Sequence, residues 1–362
     1  LLQSIGECQA LARDWNAIRA EQGESMTSLG VTSSFEWAMV LWHTRLQGQD
    51  QTVLVLERDG RIAGILPLYF SRRSLHGVRC RVLAPISEIY SGRDGFLLRG
   101  SRDEDLETLI GYLTGEVSGW DALLFTVVEG SPSETLASAL ARGDKYRCQR
   151  VWSTVSPYIT LNKSWPAFFE ALPKQLRTNL RAAERRLRGA GTVGYEEFAD
   201  RMSLPRFLET VLHIERHSWK EQEKTSITTN PHQQRVYEKL AEVAAGNGWL
   251  SGHLLFLDGE PLAYIYGLQV GGVFYDLKSS FQARFGEFSP GNLLTRFVLE
   301  RLSEHGVRFY DFRGACELYK MRWTQSTYTC HSYLLYNRTV RAKVSRFAGM
   351  VRRPVGRHAQ AG

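Results

Sequence analysis

VLVLERDGRIAGILPLYF, residues Val53 to Phe70, and GHLLFLDGEPLAYIYGLQV, residues Gly252 to Val270, share one grammar. Each has an apolar strand, an Asp-Gly pair and a second apolar strand, and Asp-Gly tolerates the positive φ angles of a two-residue hairpin turn. Outward from each hairpin the pattern repeats. An amphipathic helical stretch precedes each one, SSFEWAMVLWHTRL (Ser33 to Leu46) and LPRFLETVLHIERHSWK (Leu204 to Lys220). Strand, helix and strand follow: RVLAPI, DEDLETLIGYLTGEV and DALLFTVV after the first, VFYDLKSS, GNLLTRFVLERLSEHG and RFYDFRG after the second. This predicts a duplicated α/β (α+β) chain of two lobes, each a mixed β-sheet flanked by helices. The expected boundaries are residues 1–155, 156–336 and a basic C-terminal helix in 337–362, with SPYITL (Ser156 to Leu161) passing between lobes.

A chain of 362 residues exceeds what one hydrophobic core organises, in keeping with two lobes. Hydrophobic residues at 43% and charged residues at 23% exclude a disordered or fibrous protein. No apolar run approaches the ~18 residues that cross a bilayer. The opening LLQSIGECQALARDW meets acid and base too early for a secretory signal, so a cytoplasmic protein is expected, with peripheral attachment to the inner membrane face as a variant. Cys8, Cys80, Cys148, Cys316 and Cys330 lie far apart without CxxC or zinc spacing and read as reduced thiols. Cys316 has no Cys/His signature around it that would mark a nucleophile. Nine histidines form no HExxH, and His213 and His217, one turn apart, lack a third ligand, so no metal is expected.

The formal charge of +7 is a local matter: residues 337–362 hold seven Lys or Arg and no acid. There Val340, Val344, Phe347 and Val351 recur at helical spacing with arginines between them. Two readings stand: a solvated or lobe-packed helix, or a surface for an acidic partner such as an anionic membrane, a carrier protein or RNA, tRNA included. A second basic stripe, Lys174, Arg177, Arg181, Arg185 and Arg188, runs opposite Leu172, Leu176, Leu180, Ala183 and Leu187 on a helix expected to end at Gly189. It is either a solvated face or a contact for phosphate or an acidic partner.

Between Tyr275 and Trp323 the sequence becomes specific. A strand and an aromatic loop lead to a helix opening at Ser289-Pro290-Gly291-Asn292, where serine caps and proline lacks the N–H that the first turn leaves unpaired. The free N–H groups of such a turn bind anions, and Gly291 admits a phosphate close to the backbone. The ordered set of SWK (Ser218 to Lys220) with Glu215 a turn earlier, DGEPLA (Asp258 to Ala263), LKSSF (Leu277 to Phe281), SPG (Ser289 to Gly291), and DFRG, ELYK and Trp323 (Asp311 to Trp323) resembles the FemAB-like, or CelD-type, tandem branch of the GNAT N-acyltransferase superfamily. The resemblance covers nearly the whole chain, weakly over residues 1–150 and well from about 155 to 325. It departs from the superfamily in lacking the usual pyrophosphate loop, whose place SPGN takes.

The resemblance implies direct attack of an amine on a thioester or ester carbonyl without an acyl-enzyme, and no tightly bound cofactor. The donor it implies is acyl-CoA, an acyl-phosphopantetheine carrier protein, or an aminoacyl-tRNA. A base must keep the amine neutral, donors must hold the oxyanion, and an acid must protonate the leaving thiol. Glu215, near Trp219, and Asp311 are the expected carboxylates, Lys278 an oxyanion or phosphate contact, and Tyr319 the acid. Phe288, Ser289, Gly291, Asn292 and Lys320 are expected at the donor. Tyr90, Arg93, Asp94, Trp219, Tyr266, Arg313 and Trp323 are expected at the amine acceptor. Three functions follow: N-acylation of an amino sugar, amino acid or peptide amine, an aminoacyl-tRNA-dependent peptide transferase, or a non-catalytic module that holds a carrier protein or membrane.

Overall fold

The computed structural model describes residues 5–89 apart from 24, 27 and 29, then 96–100, 102–143 and 145–351. The first elements are α1 (Ile5–Gln9), α2 (Ala12–Glu21), α3 (Phe35–Thr44), β1 (Gln51–Arg58), β2 (Arg61–Leu75), β3 (Val78–Pro85), β4 (Leu97–Leu98), α4 (Asp103–Gly115), β5 (Ala122–Val128) and α5 (Pro132–Arg142). There follow β6 (Arg147–Thr160), α6 (Trp165–Ala171), α7 (Lys174–Ala190), β7 (Val193–Phe198), α8 (Leu204–Arg216), α9 (Trp219–Gln222) and α10 (Pro231–Gly246). The chain ends with β8 (Leu250–Leu257), β9 (Glu260–Val270), β10 (Val273–Phe281), α11 (Pro290–Glu304), β11 (Phe309–Asp311), α12 (Leu318–Met321), β12 (Thr327–Tyr336) and α13 (Val340–Val351). It divides into two compact units, Leu1–Thr154 with Tyr328–Gly362, and Val155–Thr327.

In the first unit the strand order is β1-β2-β3-β5-β12, with β4 on β2. Only β3 and β5 run parallel among these pairs, and α4 makes the crossover between them. Helices α4 and α5 bury Leu106, Ile110, Leu113 and Leu136 against Leu68, Leu83 and Phe125 on one face. The other face carries Leu75, Cys80, Val82, Leu124 and Tyr336 with Ala342 of α13. Every residue of β5, ALLFTVV, is buried, as a strand covered on both faces must be.

The second unit repeats the plan. Its strands follow the order β6-β11-β10-β9-β8-β7, with β10 and β11 parallel around the crossover helix α11 and the rest antiparallel. Helices α7 and α11 cover one face through Leu176, Leu180, Leu187, Leu294 and Val298, which pack on Ile265, Phe274 and Tyr310. On the other face Phe207 of α8 and Tyr237 of α10 meet Tyr266 edge-on. The duplicated hairpins form as the sequence predicts, with positive φ at Asp59 and Gly60 (53° and 71°) and at Asp258 and Gly259 (51° and 82°).

Two boundaries differ from expectation. Residues 328–336 pack with the first unit rather than the second, because β12 pairs along β5 from Cys330↔Val128 to Tyr336↔Ala122. Helix α7 continues through Gly189 and stops at Gly191, where a Cβ would lie 2.1 Å from Asp258 Oδ2. The helix stop is therefore set by the β8–β9 turn packing on it, which a local reading of the helix does not contain.

His253 of β8 is 3% exposed, and its ring nitrogens lie 2.7 Å from Tyr195 Oη and 2.9 Å from Ser251 Oγ. Burial pushes its pKa from 6.5 down to about 4. The unfolded chain takes up the proton first, so this contribution to stability is full above pH 6.5 and is lost as the pH falls towards 4. Asp276 acts in the opposite sense, since its carboxyl is raised to about 6 and the folded state holds that proton longer. The two separate in a comparison with His253→Gln. The wild type should lose about 3 kcal/mol relative to the variant between pH 7 and pH 4 in urea unfolding followed by circular dichroism. A difference independent of pH would exclude this assignment.

Candidate active site

Strands β10 and β11 pair only over Val273–Tyr275 and Phe309–Asp311. Beyond that point they part. On the β9 side, β10 carries a bulge between Asp276 and Lys278, so the one residue Leu277 has no opposite number. On the other side, Arg313 and Gly314 take positive φ angles of 53° and 60° and turn the chain away from the sheet into α12. The amide of Arg313 donates to Asp311 Oδ1 at 2.9 Å, so this buried carboxylate shapes the turn.

The opening collects charge. Asp276 is buried, and its Oδ2 accepts a hydrogen bond from Tyr310 Oη at 2.9 Å. Burial raises the carboxyl to about 6, while Tyr310 and the positive charges of Lys320, Lys220 and Arg313 hold it from going higher. Lys320 donates to the carbonyls of Arg313 (2.9 Å) and Ala315 (3.4 Å) and pairs with Glu317 at 2.9 Å, which pins α12 over the turn. Lys220 donates to Ser279 O, and burial, aided by Lys278, lowers its pKa to about 8. Lys278 donates to Thr225 O at 2.8 Å and is also lowered by burial. Exposed Trp219 and Tyr319 each place a ring 5.6 Å from one of these lysines.

Glu215 does not lie on the surface beside Arg216. It is fully buried, accepting from Ile227 N at 2.7 Å and Tyr264 Oη at 2.6 Å, and so ties α8 to β9 and to the turn before α10. Tyr266 is wholly buried, with its hydroxyl donating to Tyr237 O at 2.9 Å. Trp323 is a core residue packed with Phe312 and Tyr310. Its buried Nε1, like Ser280 Oγ, has no hydrogen-bond partner among the described residues. Tyr90, Arg93 and Asp94 lie outside the described residues.

The start of α11 departs from expectation in one respect. Ser289 occupies the cap position in a left-handed conformation (φ 51°, ψ 48°), and its side chain caps nothing. The amides of Gly291 and Asn292 therefore have no acceptor among the described residues. Gly291 lies against the Phe281 ring at the end of β10, where an added Cβ would sit at 3.4 Å, and Phe288 packs on the same core. Arg186 of α7 donates to Glu287 O at 3.1 Å and so flanks this loop. Free amides, a helix dipole and a nearby guanidinium are features that suit an anion.

Sequence reading missed Asp276 and, as a site residue, Lys220. The signal for Asp276 was present: an acid in VFYDLKSSF, where both neighbours on its N-terminal side are buried aromatics. Among the described residues no group of three His, Cys, Asp or Glu side chains is placed to hold a metal ion, and no helix is long and apolar enough to cross a membrane.

Residues 174–321 match the acetyltransferase (GNAT) domain family. No curated protein matches the chain in sequence. Among solved structures, that of FemX superposes with a TM-score of 0.60 at 15% identity, covering 93% of this chain and 98% of that one. A protein of unknown function from Bacteroides thetaiotaomicron gives 0.59 at 11% identity, over 90% and 97% of the two chains. The C-terminal domain of a putative lysylphosphatidylglycerol synthetase from Agrobacterium fabrum gives 0.55 at 11% identity, over 96% of each. These likenesses establish the fold, and the matched domain lies within the second unit. The chain thus carries an acetyltransferase (GNAT) domain at residues 174–321, the mark of an acyltransferase, within a fold shared with FemX.

Proposed function

We propose that the chain transfers an acyl group from a coenzyme A or carrier-protein thioester to a primary amine, and that Asp276 is the base. The amine nitrogen attacks the thioester carbonyl, its surplus proton passes to Asp276, and the C–S bond breaks to release the thiol. The observation that carries this reading is a buried carboxyl held at about 6 where the parallel strands part, because a base poised near neutrality both accepts and releases protons efficiently. Exposed Tyr319, whose ring lies 5.6 Å from Lys320 Nζ, is the candidate to return a proton to the thiolate. Lys220 and the Trp323 N–H are the candidates for the oxyanion. Glu215, with both oxygens engaged, is a positioning residue. The amine belongs to an amino sugar, an amino acid or a peptide. An aminoacyl-tRNA donor draws less support, since Arg177 and Arg181 both pair with Glu170, and Arg188 with Glu184, leaving less of the α7 stripe for RNA.

Transfer from a panel of acyl-CoA and acyl-carrier thioesters to amines, read by mass spectrometry, tests the reaction. Asp276→Asn should lower kcat by about 10²- to 10⁴-fold with the donor KM little changed. In the wild type, kcat/KM should rise with pH through about 6 as Asp276 loses its proton, and the variant should lack that limb. If the limb persists in Asp276→Asn, or moves only in Glu215→Gln, the base is misassigned. Activity abolished by ribonuclease would transfer the donor to aminoacyl-tRNA.

The donor site has its own test in Gly291→Asp. An acid in the first turn of α11 suits the helix dipole, so stability should hold or rise slightly, whereas a negative charge beside the phosphates should weaken acyl-CoA binding by about tenfold or more. Calorimetric titration with coenzyme A alongside thermal melting reads both quantities. Unaltered affinity would remove the phosphate from this turn.

A further inference from the structure

A surface helix ordinarily turns its large apolar side chains to the core and its small or charged ones to water. Helix α13 does the reverse. Ala342 and Ser345 are buried on the first unit, Ser345 Oγ donates to Leu75 O at 3.0 Å, and Gly349 sits so close to His76 that a Cβ would meet its ring at 2.7 Å. With 3.6 residues per turn, Val340, Val344 and Phe347 point about 180° from that docked face. They are 75%, 51% and 69% exposed, with Met350 at 54% beside them.

The helix is fixed in this orientation at its start. Thr339 Oγ1 caps Ala342 N at 3.1 Å while donating to Asp121 Oδ1 at 2.6 Å, which ties the first turn to the end of the sheet. The outward stripe is flanked by Arg341 on one side and by Lys343 and Arg346 on the other, and no acid occurs anywhere in residues 337–362. A second copy of the chain laid on the stripe would bring like charges together. An anionic lipid surface receives the apolar side chains at the depth of the acyl chains and the cations at the headgroups, satisfying both features at once.

We propose that α13 docks the protein on an anionic membrane surface through Val340, Val344, Phe347 and Met350, with Arg341, Lys343 and Arg346 on the headgroups. This rests on the first unit alone and stands or falls separately from the acyl-transfer reading. The full chain should co-sediment with vesicles rich in phosphatidylglycerol and much less with phosphatidylcholine alone, and added salt should weaken the binding. Val344→Asp with Phe347→Asp should cut vesicle binding by about tenfold or more, and neutralising Arg341, Lys343 and Arg346 to Gln should remove the preference for anionic lipid. All five positions face solvent or nearly so, so an unchanged melting temperature confirms that the variants are folded. The proposal is overturned if the wild type ignores anionic vesicles, if the aspartate variant binds them equally, or if the stripe instead supports a concentration-dependent dimer that the aspartates dissolve.

Discussion

The site depends on two parallel strands that cannot stay paired. Strands β10 and β11 exchange hydrogen bonds for only three residues each before the bulge at Leu277 re-aims one and the left-handed pair Arg313–Gly314 turns the other away. Each device is costly by itself. A bulge interrupts a ladder, and a non-glycine residue at positive φ is held only by its surroundings. The Arg313 turn is held by Asp311 from below and Lys320 from above. What the distortion yields is a set of backbone and side-chain polar groups facing a gap inside a sheet, at the carboxyl end of parallel strands, where α/β architectures admit ligands.

That gap explains the titration of its residues. A carboxylate in apolar surroundings is raised and a lysine is lowered, and here both occur within one cluster, Asp276 upward and Lys220 and Lys278 downward. Replacing such groups by hydrophobic residues of similar size often stabilises a protein, so an assembly of several buried charges is a poor device for folding alone. In the proposed reaction, where a proton leaves an amine and another reaches a thiolate, such a cluster has a use that folding alone does not give it. Glu215 belongs to the frame around this cluster: its two hydrogen bonds use both oxygens to fix Tyr264 and the Ile227 turn.

What the sequence disclosed and what it hid divide along one physical line. Short-range rules were legible: Asp-Gly turns at 59–60 and 258–259, the leucine stripe of α7, and a helix beginning at Pro290. Each is decided by a few neighbouring residues. The stop at Gly191 is decided by Asp258, the burial of Glu215 by Tyr264 and Ile227, and the interior position of Tyr266 by Tyr237 and Phe207. Ser289 was read as a capping side chain, and its backbone instead turns left-handed, leaving the first amides of the helix bare. Asp276 was legible only as an acid after two buried aromatics; its place beside the β10 bulge and its hydrogen bond to Tyr310 depend on strand pairing that the local sequence does not state.

The path of the chain also orders its assembly. The second unit is one continuous segment, Val155–Thr327, whose strands are joined by two hairpins, the α11 crossover and the helical connections before β7 and β8. The first unit is interrupted: β5 waits for β12, which lies about two hundred residues later in sequence, and the pairing runs over seven residues from Cys330 to Tyr336. Closing so long a loop costs only slightly more entropy if the intervening chain is already compact, and considerably more coordination if it is not. The second unit therefore closes on residues within one segment, whereas the first lacks a strand of its sheet until β12 has been reached. Helix α13 follows β12 directly and packs on β3 only once that sheet exists. Its outward apolar stripe thus becomes a displayed surface, rather than a loose hydrophobic segment, at the last step of folding.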